Sequence, residues 1–286
     1  MVLGIIGGSG VYDIDWLERP RWERVESPFG APSDDLLLGE LAGQRLVFLP
    51  RHGRGHRLLP GEINFPANID ALKRAGVTDL ISLSAVGSLR EDIPPGTFVI
   101  VDQFIDRTVQ RKSSFFGAGV VAHVALGQPV CPRLGDALEQ SAREAGIPVR
   151  RGGTCLVIEG PQFSTRAESE VYRGWNGTVI GMTNLPEAKL AREAELCYAA
   201  VTMVTDYDVW HPEHDAVTVE MVLSVMRTNV GMARELVRRT APRVRERPVP
   251  CPARCDRALD HAILTPREAI SKEAAARLSA VAGRVL

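Results

Sequence analysis

Short apolar runs alternate with longer amphipathic ones along most of the chain. Residues 2–6, 45–49, 80–83, 98–101, 155–158, 179–182 and 198–204 are four to seven residues long and rich in Val, Ile and Leu, as buried strands require. Between them the period lengthens to that of a helix. Pro66 suits the first turn of a helix whose apolar face includes Ile69 and Leu72 and which Gly76 ends; residues 132–145 form another, closing before Gly146. Thr165-Arg166-Ala167-Glu168 has the spacing of a capping box opening a third. Pro186 and Glu187 fall in the first turn of a fourth. Residues 217–239 read as a long helix with Val219, Val222, Leu223 and Met226 on one face, stopped by Pro242. The alternation predicts an α/β fold, one domain over residues 1–247. Pro248 and Pro250 mark a linker, and residues 248–286 read as a Pro- and Cys-containing linker with a helical tail.

Composition narrows the class. Hydrophobic content of 45% in 286 residues allows a substantial core, and a formal charge of −1 gives no reason to expect nucleic acid or a membrane surface as partner. No apolar run reaches the roughly 18–20 residues of a membrane span, and Met1-Val2-Leu3-Gly4 lacks the basic start of a secretory signal. A cytoplasmic protein is therefore expected. In that setting Cys131, Cys155 and Cys197, in or beside apolar segments, act as small hydrophobes. Cys251-Pro-Ala-Arg-Cys255 admits a small disulfide or a metal site, but two free thiols are the expectation.

The polar residues that need explaining follow the predicted strands, at the edge where α/β sheets bind ligands. Gly8-Ser9-Gly10 lets backbone N–H groups approach an anion, with a hydroxyl beside them. Arg51-His52 supplies a guanidinium and a second donor suited to phosphate. His52 and His56 also invite a metal reading, but the interleaved basic residues argue against a cation, so no metal is expected. Ser84-Ala85 adds a hydroxyl and an N–H at a strand end, and Thr183 precedes a helix whose positive dipole end favours an anion. Asp206 and Asp208 alternate in an extended segment, which points both carboxyls at one ligand edge. In a partly apolar pocket such a carboxyl holds a proton it can donate. A dehydrogenase reading needs a complete G-x-G-x-x-G, which glycines at 7, 8 and 10 do not provide. A non-catalytic nucleoside or phosphate sensor keeps the pocket without turnover.

These motifs resemble a known family. Gly7-Gly8-Ser9-Gly10, Arg51-His52-Gly53-Arg54-Gly55-His56, Ser84-Ala85-Val86-Gly87-Ser88, the run from Ile158 to Glu168 (Ile-Glu-Gly-Pro-Gln-Phe-Ser-Thr-Arg-Ala-Glu) and Met182-Thr183-Asn184-Leu185-Pro186-Glu187 are similar, in order, to the trimeric purine-nucleoside phosphorylases. Thr205-Asp206-Tyr207-Asp208-Val209-Trp210 is similar to their methylthioadenosine branch. The likeness runs from Gly4 to about Val244 and leaves the tail uncovered.

The resemblance implies a central mixed β-sheet flanked by helices, a homotrimer, no cofactor, and inorganic phosphate as co-substrate. It implies phosphorolysis of S-methyl-5′-thioadenosine to adenine and 5-methylthioribose 1-phosphate, in purine and methionine salvage. Phosphate would be held by Ser9, Arg51, His52, Ser84, Ala85 and Thr183; the family often has threonine at the two serines, and the hydroxyl is kept. Ribose would lie near Met182, the base among Phe163, Ser164 and Ile180, with Asp206 and Asp208 on the adenine edge as the catalytic carboxyls. Val219, Val222 and Leu223 would cover the 5′ substituent, and His123 would be lent by a neighbouring subunit. The alternative is a phosphorylase for 6-oxopurines such as methylthioinosine or inosine. Two aspartates weigh against it, because a carboxylate accepts from a 6-amino group and not from a 6-oxo group.

Overall fold

The Val- and Ile-rich runs form the inner strands of one sheet. The computed structural model describes residues 1–8, 10–211 and 219–286, the side chains of Val219 and Met221 excepted, so Ser9 lies outside the described residues. In chain order the elements are β1 (Val2–Gly7), β2 (Glu18–Glu23), β3 (Leu36–Leu41), β4 (Gln44–Pro50), α1 (Phe65–Arg74), β5 (Asp79–Ser88), β6 (Phe98–Val101), β7 (Gln103–Arg107), α2 (Pro132–Glu144), β8 (Val149–Arg151), β9 (Thr154–Ile158), α3 (Arg166–Gly174), β10 (Val179–Gly181), α4 (Asn184–Glu193), β11 (Cys197–Asp206), α5 (Val219–Arg243), α6 (Lys272–Arg277) and α7 (Ser279–Ala282). Among the described residues the sheet has 11 strands in the order β2-β3-β4-β1-β5-β10-β9-β7, with β11 joining β5 to β6 and β6 pairing β8. It is mixed, as the resemblance implies: β1 runs parallel to β4 and β5, and β10 antiparallel to β5.

Both faces of the inner strands are covered, which is why they read as nearly continuous apolar runs. On one face Val2 and Ile6 of β1 pack with Ile69 and Leu72 of α1 and Ala188 and Ala191 of α4. On the other, Leu3 and Ile5 pack with Leu134 and Leu138 of α2 and Leu236 and Val237 of α5. Residues 248–286 are no detached appendage. Leu278, Val281 and Ala282 join the first face, and Cys251 and Cys255 join the second.

Strand β5 shapes the ligand-binding edge of the sheet. Strand β11 pairs with it from Asp79 to Gly87 on one edge. On the other edge β1 pairs as far as Leu83, and β10 takes over only at Gly87 and Ser88. The backbone of Ser84, Ala85 and Val86 is left between them without a strand partner on that edge. The sequence places Ser84-Ala85 beyond a strand end; the strand in fact continues through them, and it is the neighbouring strand that stops.

No helix among the described residues is long and apolar enough to cross a membrane.

Candidate active site

A cavity of about 530 Å³ opens at this gap in the sheet. Parallel register brings its anion-binding elements level: Gly7 of β1 lies beside Pro50 of β4 and Leu83 of β5, so Gly8, Arg51 and Ser84 emerge together. All three line the cavity, with His52, Ala85 and Thr183. Three residues beyond Ser84 along β5, Gly87 faces Asp206, the last residue of β11. At a strand rise of about 3.3 Å per residue, the two ends of the cavity are roughly 10 Å apart.

The anion end differs from the sequence reading in three ways. Arg51 is fully buried and largely spoken for. Its Nε donates to Glu187 Oε2 at 2.9 Å, Nη1 to the Leu83 carbonyl at 2.8 Å, and Nη2 to Ser82 Oγ at 2.7 Å. A further Nη2 contact reaches Glu187 Oε1 at 3.2 Å. Glu187, 0% exposed, therefore shares the guanidinium charge, and Nη1 makes one hydrogen bond with its two N–H groups among the described residues. Beneath the pair lies a polar network. Tyr198 donates to Glu187 Oε1, Asn184 donates to Ser82 Oγ, and Ser84 Oγ donates to Asn184 Oδ1.

His52 is the second difference. Its Nδ1 lies 2.9 Å from the Leu58 carbonyl, which only accepts, so the proton sits on Nδ1 and Nε2 keeps its lone pair. Burial, reinforced by the charges of Arg51 and His56, lowers its pKa to about 4. At neutral pH His52 is thus an acceptor, where the sequence suggests a donor. Third, Leu185 has extended backbone (φ −122°, ψ 139°), so regular α4 begins at Pro186 and Thr183 is separated from the helix dipole. Thr183 still lines the cavity, held by Arg111, whose Nη1 takes the carbonyls of Met182 and Leu185 at 2.5 and 2.8 Å. Arg111 in turn pairs with Glu159 at 2.9 Å.

At the other end Asp206 and Asp208 both line the cavity, by a route other than strand alternation. Strand β11 ends at Asp206, and Asp208 turns back through a left-handed residue (φ 53°), its N–H donating to Asp206 Oδ1 at 2.8 Å. Thr205 Oγ1 lies 2.6 Å from Asp206 Oδ2 and 3.2 Å from the Val86 carbonyl. Burial raises the pKa of Asp206 against these hydrogen bonds. Burial raises Asp208 further, to about 6, and the neighbouring Asp206 charge adds to it. Gly87 makes room for the pair: a Cβ there would sit 2.8 Å from Asp206 Oδ1 and 3.3 Å from Asp208 Cβ. Asp208 Oδ2 and Ser164 Oγ are buried with no hydrogen-bond partner among the described residues. Both belong to lining residues, so a ligand there meets the Ser164 hydroxyl and a carboxyl whose pKa the Ser169 side chain and Val209 N–H only partly hold down against burial.

Apolar walls complete the cavity. Phe163, Ile180 and Met182 line it, and Gly160 (φ 67°) lets Met182 approach, since a Cβ there would meet its Sδ. Val222, Leu223 and Met226 of α5 close another side, with Leu223 54% exposed. The Val219 side chain lies outside the described residues. His123 is exposed and does not line this cavity; its N–H donates to the Ala262 carbonyl.

The sequence model of the phosphorylase superfamily matches residues 2–242. The chain belongs to the phosphorylase superfamily. It is 60% identical over 285 residues to the S-methyl-5′-thioadenosine phosphorylase of Rhodospirillum rubrum, covering 100% of this chain and 97% of that one. The same enzyme of Bradyrhizobium diazoefficiens is 59% identical over 285 residues, covering 100% and 98%. The likeness thus extends across the tail that the motifs leave uncovered. A methylthioadenosine phosphorylase from an Antarctic soil metagenomic library superposes with a TM-score of 0.92 at 45% identity, covering 98% of each chain. The Schistosoma mansoni methylthioadenosine phosphorylase, solved with adenine, superposes with a TM-score of 0.88 at 35% identity over 92% of this chain and 99% of that one.

Sequence reasoning reaches neither Glu187 as the partner of Arg51 nor Arg111, Thr205 and Gly87. Glu187 has a local signal, an acidic residue directly after Pro186 in a cavity-lining segment, but its partner lies 136 residues away. Arg111 stands in a polar loop with no periodicity to single it out.

Proposed function

We infer that the chain cleaves S-methyl-5′-thioadenosine with inorganic phosphate, giving adenine and 5-methylthioribose 1-phosphate. The observation that carries this is the buried Asp206–Asp208 pair, its carboxyl pKa values raised by burial, roughly 10 Å along β5 from a cluster of anion-binding groups. Relatives at 59–60% identity bearing that activity in their names support it.

Phosphate sits at the Gly8, Ser84 and Ala85 backbone with Thr183 beside it, the resemblance adding Ser9. The remaining Arg51 N–H adds a donor, and His52 Nε2 accepts from a protonated phosphate oxygen. The phosphate dianion offsets the positive charge that develops on the ribose as the N-glycosidic bond loosens. The aspartate pair gives a proton to N7, Asp206 being the donor, so that adenine leaves neutral. Asp208 Oδ2 accepts from the 6-amino group and Ser164 Oγ turns toward the base, with Phe163 and Ile180 against its faces. Ribose lies near Met182, and the apolar methylthio group lies against Val222 and Leu223, the resemblance adding Val219. A half-exposed leucine at a cavity wall suits an apolar substituent better than a 5′-hydroxyl. No cofactor takes part. His123 reaches the site of a neighbouring subunit in a homotrimer, and the enzyme serves purine and methionine salvage; these statements rest on the resemblance, and a cytoplasmic location rests on the sequence's lack of an apolar span and of a basic secretory start.

Base release from methylthioadenosine, methylthioinosine, adenosine and inosine, each with and without phosphate, tests the reading. Methylthioadenosine is expected to react fastest, and only with phosphate present. Preference for the 6-oxopurines would transfer the assignment to that class, and release without phosphate would replace phosphorolysis by hydrolysis. A second outcome concerns Gly87. Gly87→Ala pushes Asp206 off its position and is expected to lower kcat/KM for methylthioadenosine by about tenfold or more. Unchanged kinetics in a folded variant would mean that the position of Asp206 does not matter to the step.

A further inference from the structure

Four of the five cysteines meet in one place, at the end of β11 opposite to the one that carries Asp206. Cys131 caps α2, Cys197 opens β11, and Cys251 and Cys255 flank the turn that begins the C-terminal segment. All four are buried, and their sulfur atoms lie within 4.8 Å of one another. Cys131 Sγ and Cys251 Sγ are 3.8 Å apart. A tetrahedral ion with metal–sulfur bonds of about 2.3 Å requires sulfur–sulfur edges of about 3.8 Å, so the cluster is already close to that size. It is too tight to enclose a multinuclear cluster, and a single disulfide would leave two of the four thiols behind.

We propose that Cys131, Cys197, Cys251 and Cys255 form a closed tetrathiolate site for a structural zinc ion that clips residues 248–286 to the sheet. Soft thiolates in tetrahedral array select zinc among the common divalent ions, and four protein ligands leave no open position for catalysis. The Cys-x-x-x-Cys spacing of the last two falls within the range used by structural zinc sites. Outer contacts fix the ligands as such sites require. Cys131 N–H donates to the Tyr198 carbonyl at 2.7 Å, tying the α2 cap to β11, and Cys251 N–H donates to Asp256 Oδ1 at 2.9 Å. Arg247 Nη1 donates toward Cys197 Sγ from 3.3 Å, its side chain only 6% exposed and also paired with Asp256 at 3.3 Å and Asp79 at 3.6 Å. On binding, each thiol releases its proton to solvent and no electrons move.

The ion would hold more than the turn. Downstream of Cys255 the segment pairs with the loop at 120–123: Leu264 N–H donates to the Val121 carbonyl at 2.9 Å, Val121 N–H to Thr265 Oγ1 at 2.8 Å, and His123 N–H to the Ala262 carbonyl at 2.9 Å. Removing the ion is therefore expected to loosen that loop together with the tail.

The test uses the full-length protein purified under reducing conditions without chelator. Elemental analysis is expected to find one zinc per chain, released when a mercurial reagent titrates the thiols. Protein grown with Co²⁺ should show the intense sulfur-to-cobalt charge-transfer bands of a tetrathiolate. Cys251→Ser and Cys255→Ser should lose these bands, and Cys155→Ser, outside the cluster, should keep them. Hydrogen exchange at Val121 and His123 should quicken when zinc is removed. Wild-type protein incubated with ZnCl₂ that binds none, with all four thiols free or joined as disulfides by mass analysis, would overturn the proposal. So would zinc retained in full by the Cys251→Ser/Cys255→Ser double variant.

Discussion

Asp206→Asn is expected to lower kcat/KM for methylthioadenosine by about 10²-fold or more, the usual scale of a lost general acid, while leaving the apparent affinity for phosphate nearly unchanged. The split follows from the fold. Asp206 lies three residues along β5 from the level of Arg51 and Gly8, so an amide there does not disturb the anion end. The amide keeps the size of the carboxyl and can still accept from Asp208 N–H, which makes a folding defect an inadequate explanation of the loss.

The pH dependence gives the same prediction a second reading. The pair acts protonated, and burial has raised Asp208 to about 6, with Asp206 raised as well. The protonated form is fully present below these values and is lost as pH rises through them, so the wild-type rate should descend on the alkaline side of about pH 6. The apparent pKa belongs to the pair and not to either residue. Phosphate also titrates near neutrality, so the useful quantity is the difference between wild type and variant: the variant should lack the part of the descent that the pair supplies. Identical profiles at reduced rate would take the proton away from Asp206, and an unreduced rate would remove it from the mechanism.

The two aspartates also show how far a sequence carries. Their identity and their place beside one ligand are legible in it, but alternation along an extended segment is not how the chain brings them together. The strand stops at Asp206, and Asp208 arrives through a left-handed turn for which Asp-Tyr-Asp gives no warning. Strands buried on both faces are plain in the sequence, β1, β5 and β11 among them, because burial on two sides leaves little room for polar residues. Strand β2 escapes because all six of its residues, Glu-Arg-Pro-Arg-Trp-Glu, are exposed and carry no periodic signal. Strand β7 is at most half-buried and escapes for the same reason. Contacts between distant residues are out of reach altogether. Cys131 and Cys197 read as isolated small hydrophobes until the fold places them against Cys251 and Cys255, and Arg51 reads as a free guanidinium until Glu187 appears beside it.

That last pair carries the other large effect. Glu187→Gln removes the negative charge from a guanidinium that is 1% exposed and is expected to destabilise the protein by about 3–5 kcal/mol, read as a fall in the denaturation midpoint. The cause is the buried positive charge left without its partner, together with an amide N–H turned toward an N–H donor of Arg51. Phosphate should stabilise this variant more than it stabilises the wild type, because the anion then meets an unneutralised guanidinium. Replacing both partners separates structure from chemistry. Arg51→Met/Glu187→Leu removes both charges at similar volume, so much of the lost stability should return. Activity should not return, because the anion end has lost the Arg51 donor and the groups that Arg51 holds at Leu83 and Ser82 have lost their anchor. A double variant that is stable and still fully phosphate-dependent would assign Arg51 to the scaffold alone and leave phosphate to the backbone of Gly8 and Ala85, His52 and the hydroxyls of Ser9, Ser84 and Thr183. A double variant as unstable as Glu187→Gln would mean that the network through Tyr198, Asn184 and Ser82, and not the charge balance, is what the pair maintains.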